Sequence, residues 1–191
     1  MEYIDICTPG GTLYVLDKFG IKARKKYGQN FLIDSNIVRK IISAAGITKE
    51  DCVLEIGPGI GTMTGMLSEA AGHVVAVEID ESLRQVLTET LAGRDNIDII
   101  WNDVLKTDLR EIADRHNGGR PMKVVANLPY YVTTPIIMKL LKEKKGNVRW
   151  YVLGEGNLRD KLQELIDQYG LTRDFILLGA KKNPYPYFAQ T

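Results

Sequence analysis

An α/β fold with a mostly parallel sheet is predicted by two features of this 191-residue sequence. From Cys52 onward, short apolar runs alternate with helical patterns, the signature of strand-helix units whose crossovers cover both faces of a sheet. The first of these runs closes on Gly57-Pro58-Gly59-Ile60-Gly61, where alternate glycines let a strand-to-helix turn pass close to a ligand.

Residues 1–30 read as an N-terminal arm, with Pro9-Gly10-Gly11 as punctuation and a short amphipathic helix near Leu13 to Phe19. Asp34 or Ser35 caps a helix whose apolar positions Ile37, Ile41, Ile42 and Ala45 share one face, and Gly46 stops it. The alternation then runs through Val53 to Ile56, a helix after Gly61, Val74 to Val77, and a helix from Glu81 to Leu91. Ile97 to Ile100, a short helix near Leu109 to Arg115, Val124 to Ala126 and a helix from Pro135 to about Lys142 follow. Beyond Lys142-Glu143-Lys144-Lys145-Gly146 the character changes. A strand at Trp150 to Leu153, a helix from Leu158 to Tyr169 and a strand at Phe175 to Leu178 are expected, before Asn183-Pro184-Tyr185-Pro186-Tyr187 interrupts regular structure.

Composition places few limits on function. The chain is 45% hydrophobic and 26% charged with formal net charge +1, so net charge selects no partner. Cys7 and Cys52 are too few and too far apart for a disulfide framework, and no Cys/His spacing resembles a zinc site. With no apolar run suited to a signal peptide or a membrane span, a reducing, cytoplasmic setting is expected. Charge is uneven, however. Lys18, Lys22, Arg24, Lys25 and Lys26 crowd the segment before Gly28-Gln29-Asn30-Phe31, which suits either a phosphate-contacting arm or a solvated helix face.

Four strand ends carry candidate chemistry. The glycine turn lacks the spacing of a dinucleotide fingerprint and better fits a ligand without a pyrophosphate, such as S-adenosylmethionine. Glu78 ends the second strand, where a carboxylate can accept ribose hydroxyls or cap a helix. Asp103 follows the third strand and suits either the exocyclic amine of a cofactor adenine or a turn. Asn127-Leu128-Pro129-Tyr130 ends the fourth. An asparagine oxygen and the carbonyl before a proline can draw on the hydrogens of a ring-conjugated amine, whose lone pair is otherwise delocalised, while the tyrosine stacks on the base. That arrangement reads as a nucleic-acid adenine methyltransferase. His73 and His116 are isolated in the sequence and are assigned no chemistry.

Together, Lys25-Lys26-Tyr27-Gly28-Gln29-Asn30-Phe31-Leu32, the glycine turn, Glu78, Asp103 and Asn127-Leu128-Pro129-Tyr130-Tyr131 resemble the small-subunit ribosomal RNA adenine dimethyltransferase family, from Thr8 to about Leu141. The resemblance implies a class I S-adenosylmethionine-dependent methyltransferase (Rossmann-like) sheet, and dimethylation at N6 of two adjacent adenines near the 3′ end of small-subunit rRNA. It implies cofactor contacts at Asn30, Leu32, Gly57, Gly59, Glu78, Asp103 and Asn127. Asn127, Pro129 and Tyr130 would meet the target adenine, with Phe31 near it, and Lys22, Arg24, Lys25, Lys26 and Phe31 would meet RNA. No metal is expected, and a monomer is. The large-subunit rRNA methyltransferases of antibiotic resistance share much of this pattern, but Thr8-Pro9 and Tyr131-Val132-Thr133-Thr134-Pro135 favour the small-subunit group.

The sequence after about residue 146 is instead similar to a fragment of a two-domain retaining glycosyltransferase. On this reading, 1–145 forms the methyltransferase domain and 146–191 a foreign strand-helix-strand segment that docks beside the fourth strand and finishes the sheet. The RNA-holding helical domain of such enzymes would then be missing. A module that binds cofactor or RNA without catalysis is the competing reading, and a glycosyltransferase fragment a third.

Overall fold

The computed structural model describes residues 6–21, 35–128, 130–143, 150–153, 159–168, 170, 172 and 175–179. Helix α1 spans Pro9–Lys18, capped by Thr8, whose hydroxyl accepts the Gly11 N–H at 3.1 Å. Pro9 and the two glycines therefore form the first turn of the helix rather than punctuation ahead of it. Proline has no N–H to waste at that position and its φ already suits a helix. Helix α2 covers Ser35–Ala44, followed by strand β1 (Cys52–Ile56), α3 (Thr62–Ala70) and β2 (His73–Glu78). A 3-10 turn at Glu81–Leu83 leads into α4 (Arg84–Thr90), then β3 (Ile97–Trp101), α5 (Leu109–Asn117), β4 (Lys123–Ala126) and α6 (Tyr130–Glu143).

Four parallel strands form one sheet in the order β3-β2-β1-β4. The chain moves outward from β1 through β2 to β3, then returns to the other side of β1 as β4. Both faces are covered, so β1 and β2 are buried almost throughout and read as near-continuous apolar runs. Alternate residues divide between two cores. Val53, Val74 and Val125 meet α2 and α3 through Val38, Met63 and Leu67. Leu54, Ile56, Val75 and Val77 meet α5 and α6 through Ile112 and Ile136. Leu67 is fully buried, and Leu67→Ala should cost about 2–5 kcal/mol of stability. Urea unfolding checks this; a cost near zero would mean that α3 does not seat on the sheet.

Helix α6 starts at Tyr130, five residues before the expected Pro135, which lies inside it. An interior proline lacks the N–H for one helix hydrogen bond and its ring crowds the carbonyl four residues earlier, a cost that the burial of Ile136, Ile137 and Leu140 offsets, so the helix runs through it.

Strands β5 (Trp150–Leu153) and β6 (Phe175–Gly179), with α7 (Arg159–Gln168) between them, form a strand-helix-strand unit as expected. Their placement differs from expectation. β5 and β6 pair in parallel with each other, Trp150 opposite Phe175, in a separate two-stranded sheet. Among the described residues, the main sheet thus ends at β4, and neither β5 nor β6 joins it. Among the described residues, no helix is long and apolar enough to cross a membrane.

Candidate active site

Register brings four strand ends together. Ile56 lies opposite both Val77 and Ala126, and Glu78 lies opposite Trp101. Gly57, Glu78, the Asn102-Asp103 pair and Asn127 therefore leave the sheet along one carboxyl edge. β1 and β4 lead there into helices on opposite faces of the sheet, so the strand order reverses between them, and the crevice outside such a reversal is the usual ligand position in sheets of this kind.

The glycine turn is set by backbone conformation. Gly57 has φ +73° and open space where a Cβ would project, while its N–H donates to Val77 O at 3.0 Å. Gly61, at φ +89°, is the residue before α3, and a Cβ there would sit 3.1 Å from Leu87, Leu91 and Thr90. A side chain at Gly61 would push α3 and α4 apart. The turn is further held by Glu78, whose Oε2 accepts the Gly59 N–H at 3.2 Å and whose Oε1 accepts the Asp80 N–H at 2.8 Å. Glu78 is only 4% exposed. Burial pushes its carboxyl above the ordinary range, opposed by N–H groups of Asp80, Gly59 and Ile79. Each carboxylate oxygen retains capacity for a further donor.

Asp103 caps the 3-10 turn Val104–Lys106, its Oδ1 accepting the Leu105 N–H at 2.9 Å. The turn reading of this residue is thus correct, and it commits one carboxylate oxygen while leaving the residue at the crevice. Asn127 is exposed immediately beyond β4. Leu128 packs into the core beside Ile136 and Val104, which anchors the segment and turns Asn127 outward. Tyr130 opens α6. Pro129, Asn30, Leu32, Lys22, Arg24, Lys25, Lys26 and Phe31 lie outside the described residues.

Three residues of this region went unassigned in the sequence. Ile79 and Leu105 are 49% and 37% exposed, and each follows shortly after one of the two acids at the strand ends. Their signal was an apolar residue placed where the chain otherwise turns polar. The third is Glu55, fully buried under α3. The Thr64 hydroxyl lies close enough to ease its charged form, yet neither Glu55 oxygen nor Thr64 Oγ1 finds a partner in hydrogen-bonding geometry among the described residues. Burial therefore governs and, with a contribution from the Glu78 charge, pushes the Glu55 carboxyl up to about 8.

A carboxyl whose folded-state pKa is raised from 4.5 to about 8 favours the folded state fully only below its unfolded value. That contribution disappears as pH rises through about 8. At about 1.4 kcal/mol per unit, the loss reaches several kcal/mol. Urea unfolding at about pH 6 and about pH 9 should show falling stability in the native sequence and a much flatter profile in Glu55→Gln. Equal slopes would contradict the burial of an ionisable Glu55.

The model of the ribosomal RNA adenine dimethylase family matches residues 20–170. Ribosomal RNA small subunit methyltransferase A of Lachnoclostridium phytofermentans is 51% identical over 156 residues, 81% of this chain and 54% of that protein. Its counterpart in Leuconostoc citreum is 47% identical over 162 residues, 84% of this chain and 55% of that protein. The chain spans about half the length of the curated relatives it matches. Among solved structures, the 23S rRNA methyltransferase ErmE is 31% identical with a TM-score of 0.51, covering 60% of this chain and 43% of that one. The family match continues through β5 and α7 to residue 170, past the expected end of resemblance near Leu141. A foreign glycosyltransferase segment after residue 146 is therefore not supported.

Proposed function

Because the chain belongs to the ribosomal RNA adenine dimethylase family and has the class I methyltransferase fold, we propose that it transfers methyl groups from S-adenosylmethionine to N6 of two adjacent adenines near the 3′ end of small-subunit rRNA. The observation that supports this reading is that Gly57, Glu78, Asp103 and Asn127 all follow or end parallel strands at the carboxyl edge of one sheet, the edge that holds the strand-order reversal. The small-subunit target is supported by the small-subunit enzymes to which the chain is 51% and 47% identical, against 31% for the large-subunit enzyme. The enzyme acts as a monomer in the cytoplasm.

The donor set fits the cofactor. Glu78 has acceptor capacity for two ribose hydroxyls, Asp103 for the adenine amine, and Ile79 and Leu105 offer apolar faces to the ring. Gly57, with open space where a Cβ would project, leaves room for the aminoacid portion, and Gly59, Asn30 and Leu32 are further residues to which the family resemblance assigns the cofactor. When bound, S-adenosylmethionine supplies an electrophilic methyl on a sulfonium. Asn127 accepts from the target amine with its side-chain oxygen, and the carbonyl preceding or belonging to Pro129 takes the second hydrogen, so that the nitrogen lone pair localises as positive charge grows there. Tyr130 stacks on the extruded base, a contact worth about 1–3 kcal/mol. Positioning the reactants supplies much of the remainder, roughly 7–11 kcal/mol for well-oriented groups. RNA contact falls to Lys22, Arg24, Lys25, Lys26 and Phe31, on the basic character of that segment of the sequence.

Methyl incorporation from labelled S-adenosylmethionine into unmethylated small subunits tests this reading, with large-subunit rRNA as the comparison substrate. Label in two adjacent small-subunit adenines is expected. Label in large-subunit rRNA alone would reassign the target, and cofactor binding without incorporation would leave a binding module.

A further inference from the structure

At the opposite end of the strands from the crevice, the fold assembles a second group of side chains that the proposed reaction does not use. His73 is the first residue of β2, Asp98 the second of β3, and His116 the penultimate residue of α5. Val75 pairs with Asp98, so His73 and Asp98 project from the sheet face that α5 covers. His73 Nε2 lies 2.9 Å and His116 Nδ1 3.0 Å from the same oxygen, Asp98 Oδ2. The rings are stacked, 5.7 Å between centroids and 16° between planes. One ligand atom from each of the three residues lies within 4.8 Å of the other two. Asp98 is half exposed and both imidazoles are partly so, which leaves an entry path and room for water.

We propose that His73, Asp98 and His116 form a site for a divalent transition-metal ion, zinc(II) in the first instance, that fastens the end of α5 to the starts of β2 and β3. Two neutral imidazole nitrogens and one carboxylate are a donor set that favours zinc, nickel or copper over magnesium or calcium. The geometry is close to what such an ion needs. With metal-ligand bonds of about 2.0–2.1 Å, adjacent ligand atoms stand about 2.9 Å apart at right angles and about 3.4 Å apart in a tetrahedron. The two observed nitrogen-oxygen separations, 2.9 and 3.0 Å, match the right-angle figure and lie about 0.4 Å below the tetrahedral one, so the imidazoles must move outward from Asp98 and closer to each other around the ion. Small rotations of the side chains would admit the ion between them, with solvent filling the remaining position. The length of β2 from His73 to Glu78, about 16 Å of rise, separates this group from Glu78, so the ion would be structural rather than part of methyl transfer. Cys52 begins β1 opposite His73, but its thiol stands outside the group of three ligands.

The test uses the tag-free full chain, stripped with a chelator and titrated calorimetrically with zinc chloride alone, then with cobalt(II) to read ligand-field absorption. One equivalent should bind, the cobalt spectrum should be that of inner-sphere nitrogen and oxygen ligands, and the thermal midpoint should rise with free zinc. His73→Gln, His116→Gln and Asp98→Asn should each weaken binding by more than about 10-fold, the lower end of what loss of even an outer partner costs a metal site. Because these side chains are at the surface, circular dichroism of the metal-free variants should match the native protein. Cys52→Ser should bind as the native protein does. Absence of one-equivalent binding would overturn the proposal, as would undiminished binding by the His73→Gln/His116→Gln double variant or its loss in Cys52→Ser.

Discussion

Replacing Asn127 by alanine is expected to lower the rate of methyl transfer by about 10²–10³-fold, the cost typical of removing one preorganised polar group that stabilises developing charge. The residue is exposed just past β4, and Leu128 rather than Asn127 anchors the following segment in the core. Stability should therefore fall by no more than about 1.5 kcal/mol, the order of one hydrogen bond lost at an exposed position. The loss should appear chiefly in kcat, because the amide acts on the nitrogen most strongly as charge grows. Single-turnover methylation of small-subunit rRNA, with a thermal melt of the variant, separates chemistry from folding. An unchanged rate would remove Asn127 from the mechanism.

Glu78→Gln should weaken S-adenosylmethionine binding by about 10–150-fold, the equivalent of one charged hydrogen bond worth about 1.5–3 kcal/mol. The substitution keeps shape but places an amide NH2 against one of two backbone donors, Gly59 N–H or Asp80 N–H. Stability should fall as well, since that N–H loses its acceptor in a buried setting. Glu78→Gln thus has two readouts with one cause: weaker cofactor binding by calorimetry and a lower unfolding midpoint. Loss of stability with cofactor affinity intact would make Glu78 a strut of the glycine turn and nothing more.

Much of the crevice was legible because its residues answer to backbone rules. Glycines at Gly57 and Gly61 are demanded by positive φ, and both lie where the spacing placed the turn. Glu78 and Asp103 end or follow buried strands, where an acid interrupts an apolar run, so period alone locates them. Glu55 was equally visible as an acid between Leu54 and Ile56, but its burial under α3 depends on which face of β1 each residue takes, and that is a tertiary fact. Ile79 and Leu105 escaped notice because an exposed apolar side chain looks like any other until the fold shows it uncovered. The start of α6 was misplaced because a proline inside a helix reads locally as a proline opening one. His73, Asp98 and His116 are far apart in the chain, and only the pairing of β2 with β3 and the crossover through α5 bring them together. The position of β5 and β6 was misjudged for a related reason: a strand-helix-strand pattern states that two strands pair with each other and is silent on which sheet receives them.

A structure of the chain with S-adenosylhomocysteine bound tests the central claim most directly. The ribose hydroxyls should lie on the Glu78 carboxylate, the adenine between Ile79 and Leu105 with its amine toward Asp103, and the sulfur facing Asn127. A ligand seated elsewhere, or an Asn127 side chain turned away from the sulfur with Glu78 closed off from the ribose, would contradict it.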